Sequence, residues 1–108
     1  MERLEQLLER IDLFTKERDW EQFHTPANLA KSVSIEAAEL LECFQWNEAE
    51  FDIDAVRAEL ADVMNYCLQM CLVLQCDPVD IINAKMDRNA QKYPVEKSKG
   101  VATKYDKL

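Results

Sequence analysis

LAKSVSIEAAELLECF, residues 29–44, decides how this chain folds. Leu29, Val33, Leu40 and Phe44 recur at helical spacing, which predicts an amphipathic helix with one apolar stripe. At about 100° per residue Glu36 falls about 20° from Leu29, inside that stripe, and Glu39 falls at its edge. Glu42 lies on the far side with Lys31, where water solvates it. A charge on a packing face requires a partner.

Upstream, Thr25 offers an N-cap oxygen and Pro26 suits the first helical position, so the helix is expected over about residues 26–44. Before it, Leu4, Leu7, Leu8, Ile11 and Phe14 keep the same period and predict a first helix over about residues 2–18. Residues 19–24 between them, with two aromatic rings and the only histidine, read as a loop. Downstream, residues 45–52 with Trp46 read as a connector. Asp52 or Asp54 can cap a third helix reaching about Leu74, and Asp77-Pro78 with Asp80 opens a fourth that ends before Pro94. The last fourteen residues hold Gly100 and several lysines and predict a flexible tail, leaving a helical domain at residues 1–94 and a tail at 95–108.

The chain has 108 residues and 12.6 kDa, with one Gly and three Pro, which argues against a turn-rich β architecture. The expected fold class is all-α, four-helix-bundle-like, with helices packed across an oligomer interface, because a monomer this small buries only about two-thirds of the surface its unfolded chain exposes. The net charge of −8 excludes a basic surface that tracks a nucleic acid polymer, so an anionic partner would need a cation between. Cys43, Cys67, Cys71 and Cys76 sit in apolar stretches without C-x-x-C spacing, and the N-terminus has no secretory signal. They read as buried, reduced thiols of a cytoplasmic protein. Residues 60–76 carry a single charge, but Asp62, Asn65, Gln69 and Gln75 argue against a membrane span.

On the third helix Leu60, Met64, Cys67, Cys71 and Leu74 fill one face and much of the remainder is also apolar, which predicts burial nearly all round. One strip departs: Glu59, Asp62 and Tyr66 project within about 60° of one another, with Asn65 and Gln69 alongside. Acidic pairs three residues apart occur six times here, against about four expected by chance, so position on the helix is the signal and not the spacing. Packed at about 8–10 Å, the second and third helices would bring four carboxylates together. Lysines and arginines from other helices could neutralise them, or a divalent cation could. With all-oxygen ligands and no Glu-x-x-His, the cation would be Mg²⁺ or Mn²⁺ and not zinc or a di-iron centre. Lys85, Asn89 and Lys92, a stripe on the fourth helix, form either a solvated face or a grip on phosphate oxygens. Trp20, Phe23, His24 and Trp46, in the connectors, suit either core packing or stacking on a base.

Four segments together resemble a known family: DWEQFHTPANL (19–29), IEAAELLECFQW (35–46), ELADV (59–63) and KMDRNAQKYP (85–94). They are similar to the MazG-like all-α nucleoside triphosphate pyrophosphohydrolases, particularly the small dCTP pyrophosphatase branch, over about residues 10–94. The resemblance implies a catalytic helical domain that cleaves a nucleoside triphosphate, dCTP favoured, to its monophosphate and pyrophosphate in nucleotide-pool housecleaning. It implies Glu36, Glu39, Glu59 and Asp62 as catalytic ligands of Mg²⁺. Trp20, Phe23, His24, Trp46 and Tyr66 would contact base and sugar, and Lys85 and Asn89 the phosphates. It also implies a homo-oligomer, a dimer of dimers, with sites built between subunits. Ile11 departs from the pattern, standing where some dCTP-preferring relatives offer a polar base contact. The alternative from another class is a non-catalytic helical module that binds a nucleotide or a protein, its acids structural.

Overall fold

The computed structural model describes residues 2–108, and all its regular structure is helical. Five helices follow in order: α1 (Arg3–Glu17), α2 (Pro26–Glu42), α3 (Ile53–Leu74), α4 (Pro78–Lys92) and the single turn α5 (Val95–Ser98). One compact unit holds the residues through Cys76, and a second holds Asp77–Leu108. Among the described residues no helix is long and apolar enough to cross a membrane.

Side chains that bond their own backbone start three of these helices. Thr25 Oγ1 accepts from the Asn28 N–H at 3.1 Å with Pro26 at the first position, and Asp52 Oδ1 accepts from the Asp54 and Ala55 N–H groups at 3.0 and 3.3 Å. Asp77 Oδ1 does the same for Val79 and Asp80 at 2.8 and 3.2 Å. Each cap satisfies donors that a helix start leaves orphaned. α1 and α3 end on left-handed residues, Asp19 (φ 54°) and Gln75 (φ 54°). The Trp20 N–H then reaches back to the Thr15 carbonyl, and the Cys76 N–H to that of Cys71, both at 3.0 Å. This is the Schellman closure, made without glycine. α2 ends two residues before the expected Phe44, its last carbonyls taken up by the tightened turn through Cys43, Phe44 and Gln45.

In the first unit α3 is the element on which the others pack, α2 along much of its length and α1 less extensively. The core is small: Leu29 is 1% exposed, and Cys71, Thr15 and Gln69 are the other buried side chains of this unit. α3 is therefore not buried all round as its composition predicts. Leu60, Met64, Val73 and Leu74 stay exposed because α1 and α2 leave part of its surface uncovered. Cys67 is exposed for the same reason, against the expectation of a buried thiol; Cys71 is buried, and Cys43 and Cys76 are partly buried. Within the second unit Tyr93 meets Tyr105 edge-on at 6.1 Å, and Lys92 Nζ lies 4.7 Å from the Tyr105 ring. The stretch expected to be a flexible tail thus carries α5 and a 3-10 turn at Tyr105–Lys107.

Candidate functional site

The helical phase that puts Glu36 beside Leu29 turns it toward α3, and the phase of α3 turns Glu59 and Asp62 back toward it. One carboxylate oxygen from each of Glu36, Glu59 and Asp62 lies within 4.8 Å of the others. Glu39, one turn after Glu36, is exposed and outside this trio, yet its carboxyl is close enough to act on both Glu36 and Glu59. Oε2 of Glu36 and Oε2 of Glu59 are shut from solvent with no hydrogen-bond partner.

Crowded acids hold on to protons. The hydrogen bond with Glu39, loss of water and the charges of Glu39, Asp62 and Glu59 push Glu36 up to about 7. Loss of water first, then Glu39 and the neighbouring charges, raises Glu59 as well. Among the described residues the ion pairs are Lys16–Asp12 and Arg57–Asp54, so no lysine or arginine neutralises the cluster. The donor set is hard oxygen, anionic and partly desolvated, and its two orphaned oxygens are what a divalent cation would satisfy. The residues present fit such an ion.

One turn from the cluster on both helices lies a pocket of about 410 Å³, lined by Trp20, Phe23, His24, Asn28, Leu29, Ser32 and Tyr66. Ser32 precedes Glu36 by four residues on α2, and Tyr66 follows Asp62 by four on α3, so pocket and acids share one groove between these helices. The connector is held open by local bonds: Asn28 Nδ2 donates to the Phe23 carbonyl at 3.0 Å, and Trp20 sits edge-on to Phe14 at 5.8 Å, itself under the Arg18 guanidinium. An aromatic wall with a few polar groups suits a flat heterocycle and a sugar.

Trp20, Phe23, His24 and Tyr66 are thus brought together. Trp46 is not in the pocket lining; it stands 89% exposed in the α2–α3 connector, which is closed by the Phe44–Phe51 ring contact at 4.9 Å and by Asn47 Oδ1 accepting from Ala49 and Glu50. Lys85 and Asn89 stand one turn apart on α4 in the second unit, Lys85 exposed and Asn89 half-buried. Asn28 and Ser32 were not singled out by sequence. Their signal was the line Asn28, Ser32, Glu36 at four-residue spacing, which continues the face of the acidic pair.

The sequence matches the model of the MazG-like family over residues 31–108. It is 40% identical over 104 residues to dCTP pyrophosphatase 1 of Rattus norvegicus, covering 88% of this chain and 61% of that protein. Against dCTP pyrophosphatase 1 of Homo sapiens the identity is 34% over the same length, with the same coverage. The chain spans about three fifths of the length of these curated relatives. Among solved structures, a pyrophosphatase from Archaeoglobus fulgidus is similar with a TM-score of 0.78 and 38% identity, covering 87% of this chain and 94% of that one.

Proposed function

This chain belongs to the MazG-like family, and from that premise we propose that it hydrolyses nucleoside triphosphates, dCTP before others, to the monophosphate and pyrophosphate. The observation that carries the proposal is the carboxylate cluster of Glu36, Glu59 and Asp62 set one helical turn from the aromatic pocket on both α2 and α3. In this reading Glu36, Glu39, Glu59 and Asp62 hold Mg²⁺, with Mn²⁺ able to replace it. When bound, the ion supplies charge neutralisation for the phosphate oxygens as the bond to the leaving pyrophosphate breaks. A carboxylate of the cluster accepts the proton of the attacking water. Trp20, Phe23, His24 and Tyr66 hold base and sugar, Trp46 stacks on the base bound by another subunit of the oligomer, and Lys85 and Asn89 grip phosphate oxygens. The relatives' names, dCTP pyrophosphatase 1, support cytosine as the base.

The exposed apolar residues of α3, Leu60, Met64 and Leu74, support a homo-oligomer, a dimer of dimers, whose subunits cover one another. Its place is the cytoplasm, where it clears the nucleotide pool. Incubating the protein with each dNTP and Mg²⁺, then separating the products, tests the proposal. dCMP with pyrophosphate is the expected result. Triphosphates left intact throughout would overturn it in favour of a non-catalytic binding module.

A further inference from the structure

Asp62, Tyr66, Gln69 and Val73 follow one another along a single face of α3. Asp62 belongs to the carboxylate cluster and Tyr66 to the aromatic pocket. Gln69 and Val73 line a second cavity of about 280 Å³, walled also by Asp12 and Thr15 of α1 and by Glu21 and His24 of the connector. His24 borders both cavities, and Tyr66 and Gln69 stand one turn apart on α3, so the two cavities are neighbours. Gln69 is 7% exposed, yet its Oε1 is shut from solvent without a hydrogen-bond partner. Thr15, 5% exposed, stands across the cavity on α1. A mid-helix amide buried without a partner destabilises the fold, and an apolar side chain of the same size would pack there at no such cost.

We propose that Gln69, assisted by Thr15, reads the hydrogen-bonding edge of the base, favouring bases that present an exocyclic amino group over those that present a carbonyl. The proposal rests on the nucleotide-hydrolysing function above. Spacing supports it: Gln69 lies about 10 Å along the helix from Asp62, a span comparable to that from phosphate to base edge in a nucleotide. Polarity selects the edge. Glu21, Gln69 and Thr15 offer acceptor oxygens to the cavity, while Asp12, which also lines it, is paired with Lys16 at 2.6 Å. The Glu21 carboxylate and the orphaned Oε1 of Gln69 favour an N–H edge over a carbonyl one. The cavity is roomy enough for the contact to run through one ordered water as well as directly.

dCTP and dUTP differ at this edge, amino against carbonyl, so kcat/KM for both with Mg²⁺ is the test. In Gln69→Leu the dCTP value should fall about tenfold or more, through KM, while the dUTP value changes less than about threefold. Thr15→Val should shift the ratio in the same direction by less. Gln69→Leu should melt no lower than wild type, since it removes a buried carbonyl oxygen that has no partner, and Gln69→Met carries the same test if leucine disturbs the packing. Wild type that hydrolyses dCTP, with a dCTP/dUTP ratio unmoved in the variants or falling for both substrates alike, overturns this proposal alone. So does a wild type that prefers dUTP. Hydrolysis of neither nucleotide overturns the proposed function and this proposal with it.

Discussion

Replacing Glu36 by Gln, or Asp62 by Asn, gives opposite stability signs for a metal centre and for a structural ion pair. A carboxylate held by a buried cation leaves that cation stranded when it is neutralised, and the fold weakens. Here the oxygens of Glu36, Glu59 and Asp62 face one another within 4.8 Å, and no lysine or arginine answers them among the described residues. Neutralising one relieves repulsion, so the metal-free variants should melt at or above the wild-type temperature. Mg²⁺ should act the other way round. An ion that binds the folded chain and not the unfolded one adds about 1.4 kcal/mol for each tenfold rise in concentration above its Kd. For 108 residues the unfolding entropy is about 0.23 kcal/mol/K, so one site per chain should raise the wild-type Tm by about 6 °C per decade of Mg²⁺. The variants should lose most of that slope, and their hydrolysis should fall at least about a hundredfold. Thermal melts of wild type, Glu36→Gln and Asp62→Asn, with and without Mg²⁺, read all three quantities. Destabilised variants beside a wild type indifferent to Mg²⁺ would refute the metal centre.

The acid cluster also sets a pH dependence. Glu36 rises from about 4.5 to about 7 in the folded chain, so between those values the folded state keeps a proton that the unfolded state has released. Metal-free stability, taken as wild type minus Glu36→Gln, should therefore fall as pH rises through that window and level off above it, with the Mg²⁺-induced Tm shift growing as protons leave. A metal-free difference that climbs across the window would contradict the crowding of the carboxylates. Trp46 is 89% exposed, so Trp46→Ala should leave the melt almost unchanged while raising KM for dCTP roughly tenfold and flattening the preference among bases; steady-state kinetics with each dNTP check it, and an unmoved KM would remove Trp46 from the site. Light scattering at micromolar concentration should give a mass well above the 12.6 kDa of one chain, and a monomer would remove the idea of subunits covering α3.

Much of this architecture is legible in sequence where it depends on neighbours along the chain. Thr25, Asp52 and Asp77 announce helix starts because each cap is a bond from a side chain to backbone two or three residues on. Glu36, Glu59 and Asp62 could be brought together because helical phase alone fixes which residues share a face. Helix ends are less legible. Asp19 and Gln75 take the left-handed conformation that glycine usually marks, and nothing in their identity announces it. Asn28 and Ser32 near the start of α2 look like solvated polar residues, and only the folded connector, which brings Trp20, Phe23 and His24 to the same pocket, gives them a role. Exposure of Cys67 is not a property of α3 by itself, since the same apolar sequence serves a face that α1 and α2 cover and a face they leave open.

Within the first unit the side-chain oxygens shut from solvent without a partner fall on one groove, and that coincidence is the strongest argument for function. Local preference, hydrophobic pattern and caps agree along most of the chain, as they do in sequences that specify one fold. One orphaned atom, Ser98 Oγ, belongs to the second unit; in the first unit the disagreements are the orphaned oxygens of Glu36 and Glu59, the crowding around Asp62 and the orphaned Oε1 of Gln69. All lie on the face of α3 bounded by Glu59 and Val73 or directly opposite it on α2. A helix kept only for packing would carry leucine or methionine at these positions and hold the small core around Leu29 more firmly. Each departure weakens the empty protein, and each is of a kind that a ligand reverses: a cation satisfies the acids, and a base edge satisfies the amide. The groove is thus complementary to something the chain does not itself supply, with negative charge for a metal at one end and hydrogen-bond acceptors at the other.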